Sequence, residues 1–387
     1  MLTCISLIAL SSIGRAQDIV ISNARIIDGN GGVIEQGVII VSDGRIVSVS
    51  AGLTRPAGTE EVDAGGMTVM PGYVDAHRHI MGGSGQDAMQ WLEEQGELNM
   101  RAWLDAGFTT ILSAGDDVDA ILELRTRLRD GEIIGPRLIT SARANAFGTP
   151  EEARAAIQQA AAAGVDSIKT VFQTTPDGNG IETLAAIVDE ARRHGLPCIV
   201  HVTAVPDMIT AVKLGVTRLV HTPHTGTLDG TRGAHMVADA GIPVTSTLGV
   251  YVPRFDEENI GRIAPGGRPG VMTPPNLARG GQGLVNARLL WDAGVVYGYG
   301  TDTRYSPRDS LAHELRPLQM FFSPRNIVTM LTKNAAIGVG LGDDIGTLEA
   351  GKLADIVIVD GDPLTDTAAL FNIRVVIKGG EIVVDNR

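Results

Sequence analysis

Cysteine is almost missing from this chain of 387 residues, which contains only Cys4 and Cys198. Two cysteines cannot provide a disulfide framework, and they cannot form a zinc site built from cysteine ligands. Any metal site in this chain must therefore use histidine, aspartate, glutamate or a modified lysine.

Positive charge is also scarce. Lys and Arg number 32 against 45 Asp and Glu, which gives a formal net charge of -13 and an isoelectric point near 5.1. This balance disfavours a nucleic-acid backbone or an anionic membrane surface as partner. Aromatic residues make up only 4% of the chain, which disfavours large planar ligands. We therefore expect a small-molecule substrate, and self-association into a homo-oligomer stays open.

Long hydrophobic runs are absent as well. The longest apolar stretch, residues 2–16, is too short to span a membrane, so no membrane span is expected. It closes on Gly14 and Ala16, as a signal peptide does before cleavage, although no Lys or Arg precedes it. If residues 1–16 are a signal peptide, the protein is periplasmic or secreted, and otherwise it is cytoplasmic.

Strand and helix patterns alternate through the middle of the chain, which indicates a parallel sheet. With a chain of this length, eight strands predict a (β/α)8 TIM barrel plus something smaller. Both ends are rich in short strands, so we expect them to form one composite domain. The eight barrel strands are expected at residues 71–80, 109–113, 137–141, 167–172, 197–202, 218–222, 244–247 and 296–301. The Gly- and Pro-rich segment 253–283 is expected to be a substrate loop between the seventh strand and its helix.

Two histidines end the first of these strands. Residues i and i+2 of a strand share a face, so His77 and His79 point together while Arg78 points away. The two imidazoles could bind one metal ion, or the residues could be a pair of surface histidines without a ligand. The preceding strand is apolar, and barrel strands carry their chemistry at the C-terminal end, which favours metal ligands.

Four more ionisable residues end predicted strands: Lys169, His201, His221 and Asp302. Each alone has a simple explanation, since a lone lysine is usually solvated and a lone strand histidine is usually a hydrogen-bonded core residue. Six such groups at one end of the same barrel instead predict one site. An ammonium cannot bind a cation, so Lys169 must lose its proton or be modified to take part.

The stretch Pro71-Gly72-Tyr73-Val74-Asp75-Ala76-His77-Arg78-His79 resembles the first-strand motif of the amidohydrolase superfamily, whose members are metal-dependent hydrolases on a distorted TIM barrel. Residues 346–355 resemble the link from that barrel into a small β-sandwich. The resemblance is to the imidazolonepropionase and prolidase-like branch. It implies an α/β fold with a barrel at 71–345 and a composite β-sandwich from 17–70 and 346–387. Thr203-Ala204 stand where many relatives have a second fifth-strand histidine.

The resemblance also implies a centre of two divalent ions. Lys169 would be carboxylated and bridge them, His77, His79 and Asp302 would complete one ion, and His201 with His221 the other. Zinc is the default for such ligands, and Mn, Co and Fe stay open. A hydroxide bridging the ions would then attack the C–N bond of a dipeptide or N-acyl amino acid, with Asp302 as proton shuttle.

Residues that bind the substrate are harder to predict. Arg143, Arg304 and Tyr305 follow the third and eighth strands, where an arginine could clamp a substrate carboxylate or pair with a structural one. His224 could hydrogen-bond the carbonyl oxygen or be a plain loop residue.

Three rival functions stay open: a mononuclear deaminase, a lactonase or esterase on the same two-metal site, and a non-catalytic barrel paralogue. The deaminases carry a glutamate shortly after the fifth-strand histidine, and no glutamate lies between His201 and His221. About two metal ions per chain would support the hydrolase, and no bound metal would support the non-catalytic paralogue.

Overall fold

The computed structural model describes residues 18–52, 60–81, 87–174, 180–228, 232–252 and 274–387. Within this part of the chain no helix is long and apolar enough to cross a membrane. The strands are β1 (Ile19–Ile27), β2 (Val33–Ser42), β3 (Arg45–Ala51), β4 (Glu60–Asp63), β5 (Thr68–Pro71), β6 (Tyr73–Arg78), β7 (Phe108–Ser113), β8 (Arg137–Ile139), β9 (Ser141–Arg143), β10 (Ser167–Val171), β11 (Cys198–His201), β12 (Arg218–Val220), β13 (Val244–Thr245), β14 (Tyr297–Gly298), β15 (Ile356–Val359), β16 (Ile373–Lys378) and β17 (Glu381–Asp385).

The helices alternate with the central strands. They are α1 (Ala88–Asp105), α2 (Val118–Arg129), α3 (Pro150–Ala163), α4 (Ile181–Arg193), α5 (Val205–Lys213), α6 (Arg232–Asp239), α7 (Pro274–Asp292), α8 (Pro307–Gln319), α9 (Pro324–Thr329) and α10 (Ala335–Val339). The expected signal peptide, residues 1–16, lies outside the described residues and stays a prediction.

Both ends of the chain meet in one sheet. Its strand order is β17-β16-β15-β5-β1-β2-β3, and β4 also pairs with β1. Strand β5 joins the two ends, because it runs parallel to β1 and antiparallel to β15. Pro71 pairs with Ile356 in this sheet, so the predicted first barrel strand begins later, at Tyr73.

The central strands are parallel. One sheet has the order β14-β13-β12-β11-β10-β9 and the other has β6-β7-β8. The two sheets touch through the backbone, where the Ala76 amide donates to the Tyr299 carbonyl (3.2 Å) and the Asp302 amide donates to the His77 carbonyl (2.9 Å). The strand expected at 137–141 is divided into β8 and β9 at Thr140.

Local sequence explains where the helices begin and end, as α3 shows. The Thr149 hydroxyl accepts from the Glu152 amide (3.2 Å), and the Glu152 carboxylate accepts from the Thr149 amide (2.9 Å). Pro150 occupies the first turn, where no amide hydrogen is needed. Gly164 ends the helix in the left-handed conformation, at φ 85°. The helix expected at 151–163 is therefore present.

Helix α7 differs from expectation. It begins at Pro274, so the predicted loop 253–283 is wrong for residues 274–283, and residues 253–273 lie outside the described residues. Its apolar residues Leu284, Ala287 and Leu290 are buried in the core. This burial outweighs the low helix propensity of the glycines that suggested a loop.

A buried ion pair ties the terminal sheet to the parallel strands. The Asp355 carboxylate accepts from Arg137 Nη1 at 2.5 Å and from the Gly379 amide at 2.8 Å, and Arg137 Nη1 also donates to Thr110 Oγ1 at 3.0 Å. The Asp355 side chain is only 2% exposed. Removing the Asp355 carboxylate would leave the mostly buried Arg137 guanidinium without its negatively charged partner.

We expect Asp355→Ala to lower the free energy of unfolding by about 3 kcal/mol, because breaking a buried pair costs far more than breaking an exposed one. Urea denaturation measures this. The control is Asp360→Ala, which removes an exposed pair with Arg374 and should cost less than about 1 kcal/mol. Equally small losses of unfolding free energy in both variants would show that the Asp355–Arg137 pair does not stabilise the fold.

Candidate metal centre

The end of β6 and the residue directly after it bring two histidines, His77 and His79, to one carboxylate. His77 Nε2 lies 3.6 Å from Asp302 Oδ1, and His79 Nε2 lies 3.2 Å from the same oxygen. His77 is buried and His79 is 17% exposed. The structure therefore brings together the three residues predicted to hold the first ion.

Two more histidines come from the end of β11 and from the residue directly after β12. The rings of His201 and His221 are 4.0 Å apart between centroids, at 72° to one another. His221 Nε2 lies 3.9 Å from Asp302 Oδ2, the second oxygen of that carboxylate. Ligand atoms of His77, His221 and Asp302 all lie within 4.8 Å of one another, so the two predicted sets of ligands meet at Asp302.

Lys169 on β10 is buried beside this cluster. Burial lowers its pKa to about 7, and the charge of Arg143 acts in the same direction while that of Asp302 opposes both. Lys169 also lines a cavity of about 250 Å³ together with Arg143, Asn145 and Phe147. A lysine with this pKa has a large neutral fraction at neutral pH, which an amine needs in order to act as a nucleophile.

The electrostatics of the cluster suit a cation. Burial lowers the pKa of both His77 and His221 well below the ordinary value, with Lys169 acting in the same direction, so both rings are neutral. Burial alone would raise the pKa of Asp302, but the hydrogen bond from His79, together with the neighbouring imidazoles, holds it well below its usual range. Neutral imidazoles and an ionised carboxylate are the forms that bind metal.

Two buried nitrogens in the cluster carry no hydrogen bond to any described residue. They are Nδ1 of His77 and Nε2 of His221. Buried polar atoms without a partner are rare and costly, and they often mark an ion or water site. Because imidazole and carboxylate ligands suit divalent transition metals, this donor set fits a metal centre.

Two candidate ligands have unusual backbone conformations. His221 has φ 74° and Asp302 has φ 48°, in the left-handed region that side chains other than glycine rarely adopt. His221 directly follows the last residue of β12, and Asp302 lies four residues after the end of β14. Strain of this kind persists where surrounding contacts hold it, and it concentrates at functional sites.

The sequence model of the amidohydrolase family matches residues 68–383. The chain belongs to the amidohydrolase family. It is 26% identical over 398 residues to the imidazolonepropionase of Geobacillus kaustophilus strain HTA426, covering 92% of each chain. It is 25% identical over 385 residues to the 5-methylthioadenosine/S-adenosylhomocysteine deaminase of Symbiobacterium thermophilum, covering 86% of this chain and 83% of that one.

A solved Xaa-Pro dipeptidase with methionine in its active site has the same fold. It superposes with a TM-score of 0.80 over 94% of this chain and 99% of that one, at 21% identity. An identity this low shows the fold alone. The predicted family and the prediction of an enzyme are confirmed, and the chain is a hydrolase of the amidohydrolase type with an α/β fold.

Two residues in this amidohydrolase hold Asp302 in place. The Asp75 carboxylate accepts from the Thr301 hydroxyl (2.7 Å) and from the Thr301 amide (3.2 Å). The Arg78 guanidinium donates to Thr303 Oγ1 at 2.8 Å. These hydrogen bonds fix Thr301 and Thr303, the residues on either side of Asp302.

Sequence reasoning missed this role of Asp75 and Arg78, although signals were present. Asp75 lies two residues before His77 and so shares its face of the strand. Arg78 is a charged residue in an apolar strand, and its guanidinium also lies 5.0 Å from the centre of the Trp103 ring. A charge in such a strand indicates a buried partner elsewhere in the chain.

The predicted substrate residues are not gathered in one place. Arg143 lines the cavity beside Lys169, and its Nε donates to the Gly115 carbonyl at 2.8 Å. Arg304 Nη1 donates instead to the Met81 carbonyl at 2.6 Å. The Tyr305 ring packs edge-on against His313, with centroids 5.5 Å apart. Arg143 is thus the better placed of the two arginines for a ligand in this cavity.

His224 lies in the loop after β12, as expected. It is buried, its amide donates to the Thr203 carbonyl at 3.0 Å, and its ring lies 3.8 Å from that of Tyr251 between centroids. Tyr251 was not predicted from the sequence, because it lies four residues past the expected seventh strand and belongs to no motif.

Proposed function

We propose that this amidohydrolase hydrolyses a C–N bond, amide or peptide-like, in a small substrate such as a dipeptide or an N-acyl amino acid. The proposal includes a distorted (β/α)8 barrel at 71–345 beside a composite β-sandwich formed by 17–70 and 346–387. The observation that carries it is the convergence of neutral buried imidazoles on both oxygens of Asp302, beside a buried lysine.

The residues present would hold two divalent ions, with zinc the default. His77, His79 and Asp302 would bind one ion, and His201 with His221 the other. Lys169 would bridge them as a carbamate, formed when its neutral amine adds to carbon dioxide and one proton is released. When bound, the ions would make water acidic enough to attack at neutral pH and would polarise the substrate carbonyl.

The chain's own groups supply the proton transfers and the orientation. Asp302 accepts the proton of the attacking water and passes it to the leaving nitrogen, which would otherwise depart as a poor anion. Its carboxylate suits this role because Asp75 and Arg78 hold the residues on either side. His224 holds the carbonyl side of the substrate, with its ring backed by Tyr251.

Arg143 is proposed to bind a substrate carboxylate. We expect Arg143→Met to raise KM for carboxylated substrates by about 10- to 100-fold, the value of a charged hydrogen bond, with little change for uncharged amide analogues. Steady-state kinetics on a matched pair of substrates measure this. Arg304→Met should discriminate less between the two substrates. If Arg143→Met impairs both substrates equally, the arginine has a structural role.

A substrate screen tests the proposed function. N-acyl amino acids, dipeptides, esters and lactones would be compared at matched concentration with metal-loaded protein. We expect turnover of the first two classes. Turnover confined to lactones or esters would support that alternative, ammonia released from an aminopurine would support a deaminase, and no turnover with no bound metal would support a non-catalytic paralogue.

A further inference from the structure

Thr247 has a strained backbone beside the candidate metal centre. Its φ of 51° lies in the left-handed region, where a β-branched residue is a true outlier. Its hydroxyl oxygen lies 2.6 Å from Nδ1 of His221, which itself has φ 74°. Two strained residues from different strand ends are therefore hydrogen-bonded to each other, and both are buried.

A carboxylate on α8 grips the chain on both sides of Thr247. Glu314 Oε1 accepts from Ser246 Oγ at 2.7 Å and from the Leu248 amide at 2.9 Å, and Oε2 accepts from the Gly249 amide at 2.6 Å. Glu314 is almost fully buried. Three hydrogen bonds to residues that flank Thr247 explain how its strained conformation persists.

The ring of His221 has one bonded nitrogen and one without a partner. Nδ1 faces Thr247, whereas Nε2 has no hydrogen bond to any described residue and points toward Asp302 Oδ2 at 3.9 Å. A proton on Nε2 would be a buried donor with no described acceptor within hydrogen-bond distance, since Asp302 Oδ2 is 3.9 Å away. A proton on Nδ1 would be donated to the Thr247 hydroxyl and would leave the Nε2 lone pair exposed to an ion.

We propose that Glu314 and Thr247 form an orienting relay for His221. Glu314 holds the strained turn, and the Thr247 hydroxyl accepts from Nδ1 and fixes the tautomer that offers Nε2 as a ligand. Both are positioning residues, since neither touches a reacting atom. The ligand role of His221 rests on the proposed function, but its tautomer and orientation do not.

Metal-free, full-length protein provides the test. Histidine labelled with ¹⁵N reports the tautomer of each ring through long-range proton–nitrogen correlations, and a His221→Asn spectrum assigns the His221 signals. In the wild type we expect a single tautomer with the proton on Nδ1. Thr247→Val removes the acceptor, and Thr247→Gly removes it while relieving the backbone strain. Both should give a mixture of tautomers, whereas Thr247→Ser should keep the wild-type tautomer.

Two further variants distinguish loss of the Thr247 and Glu314 contacts from a general disturbance of the fold. Thr109→Val makes the same change at a buried threonine at the start of β7, whose hydroxyl has no partner among the described residues, and it should leave His221 unchanged. Glu314→Gln puts an amide donor against the backbone donors of the turn, so it should also mix the tautomers of His221. Zinc affinity, measured by competition with a chelator, should fall about 10- to 100-fold in Thr247→Gly and Glu314→Gln.

A single Nδ1-protonated tautomer in Thr247→Gly, with zinc affinity within about twofold of the wild type, would overturn the proposal. The proposal would also be overturned if Thr109→Val changed the His221 tautomer and the zinc affinity as much as the Thr247 variants do. These outcomes are independent of catalysis, because the tautomer is read without metal or substrate. A protein with the expected tautomers but no hydrolysis would contradict the proposed function and leave the relay in place.

Discussion

Replacing Lys169 with alanine is expected to abolish hydrolysis and to reduce the bound metal to less than half of the wild-type content. The proposed carbamate would supply an oxygen ligand to each of the two proposed ions, so its loss would weaken both sites. The substitution also leaves a gap beside His77, whose pKa is lowered by burial and then by Lys169. Turnover assays and elemental analysis on the same preparation measure the two effects.

Small carboxylates provide the control for the Lys169 variant. Acetate or propionate can enter the gap and supply two oxygens, so they should restore part of the activity and part of the metal. Lys213→Ala, at an exposed lysine at the end of α5, should behave as the wild type does. Full metal and full rate in Lys169→Ala would show that the bridge assignment is wrong.

Asp302→Asn is expected to lower amide turnover by roughly 10²- to 10⁴-fold, the contribution of a general base. Asparagine keeps the shape and one coordinating oxygen, so most of the metal should remain. It cannot accept the proton that the carboxylate takes from water. Stopped assays on metal-loaded variant and wild type, with metal content measured in parallel, separate loss of proton transfer from loss of the centre.

The leaving group sharpens the Asp302 prediction. An activated ester expels a stable anion without protonation, so its hydrolysis should fall less than amide hydrolysis in the same variant. Near-normal amide hydrolysis with intact metal would show that the proton is transferred elsewhere, and His224 would be the first residue to replace.

Much of the fold was predictable because it depends on local pattern. Apolar runs and turn residues place the central strands within a few residues, and Thr149-Pro150 marks the start of α3. The predicted ends of the strands were less accurate. The strand expected at 218–222 ends at Val220, and the one expected at 296–301 is paired only over Tyr297–Gly298. His221 and Asp302 follow in left-handed backbone, which hydrophobic alternation cannot reveal.

The candidate ligands were predictable from the sequence because each stands at or near the end of an apolar strand, where chemistry collects in a parallel barrel. The residues that hold them in position were not. Arg78 meets Ser310, 232 positions away in the chain, and Glu314 meets Ser246 across 68 positions. Such contacts depend on how the helices pack against the strands, and no short motif encodes them.

We infer a centre of two metal ions, and the zinc bound per chain tests for it. The six candidate ligands are His77, His79, Lys169, His201, His221 and Asp302. Wild-type protein would be stripped, reloaded with zinc in the presence of bicarbonate, desalted and analysed for zinc per chain. We expect a plateau at about two ions per chain, with activity rising to its maximum as the second ion binds. A plateau at one ion, or no retained zinc at all, would contradict the two-ion centre.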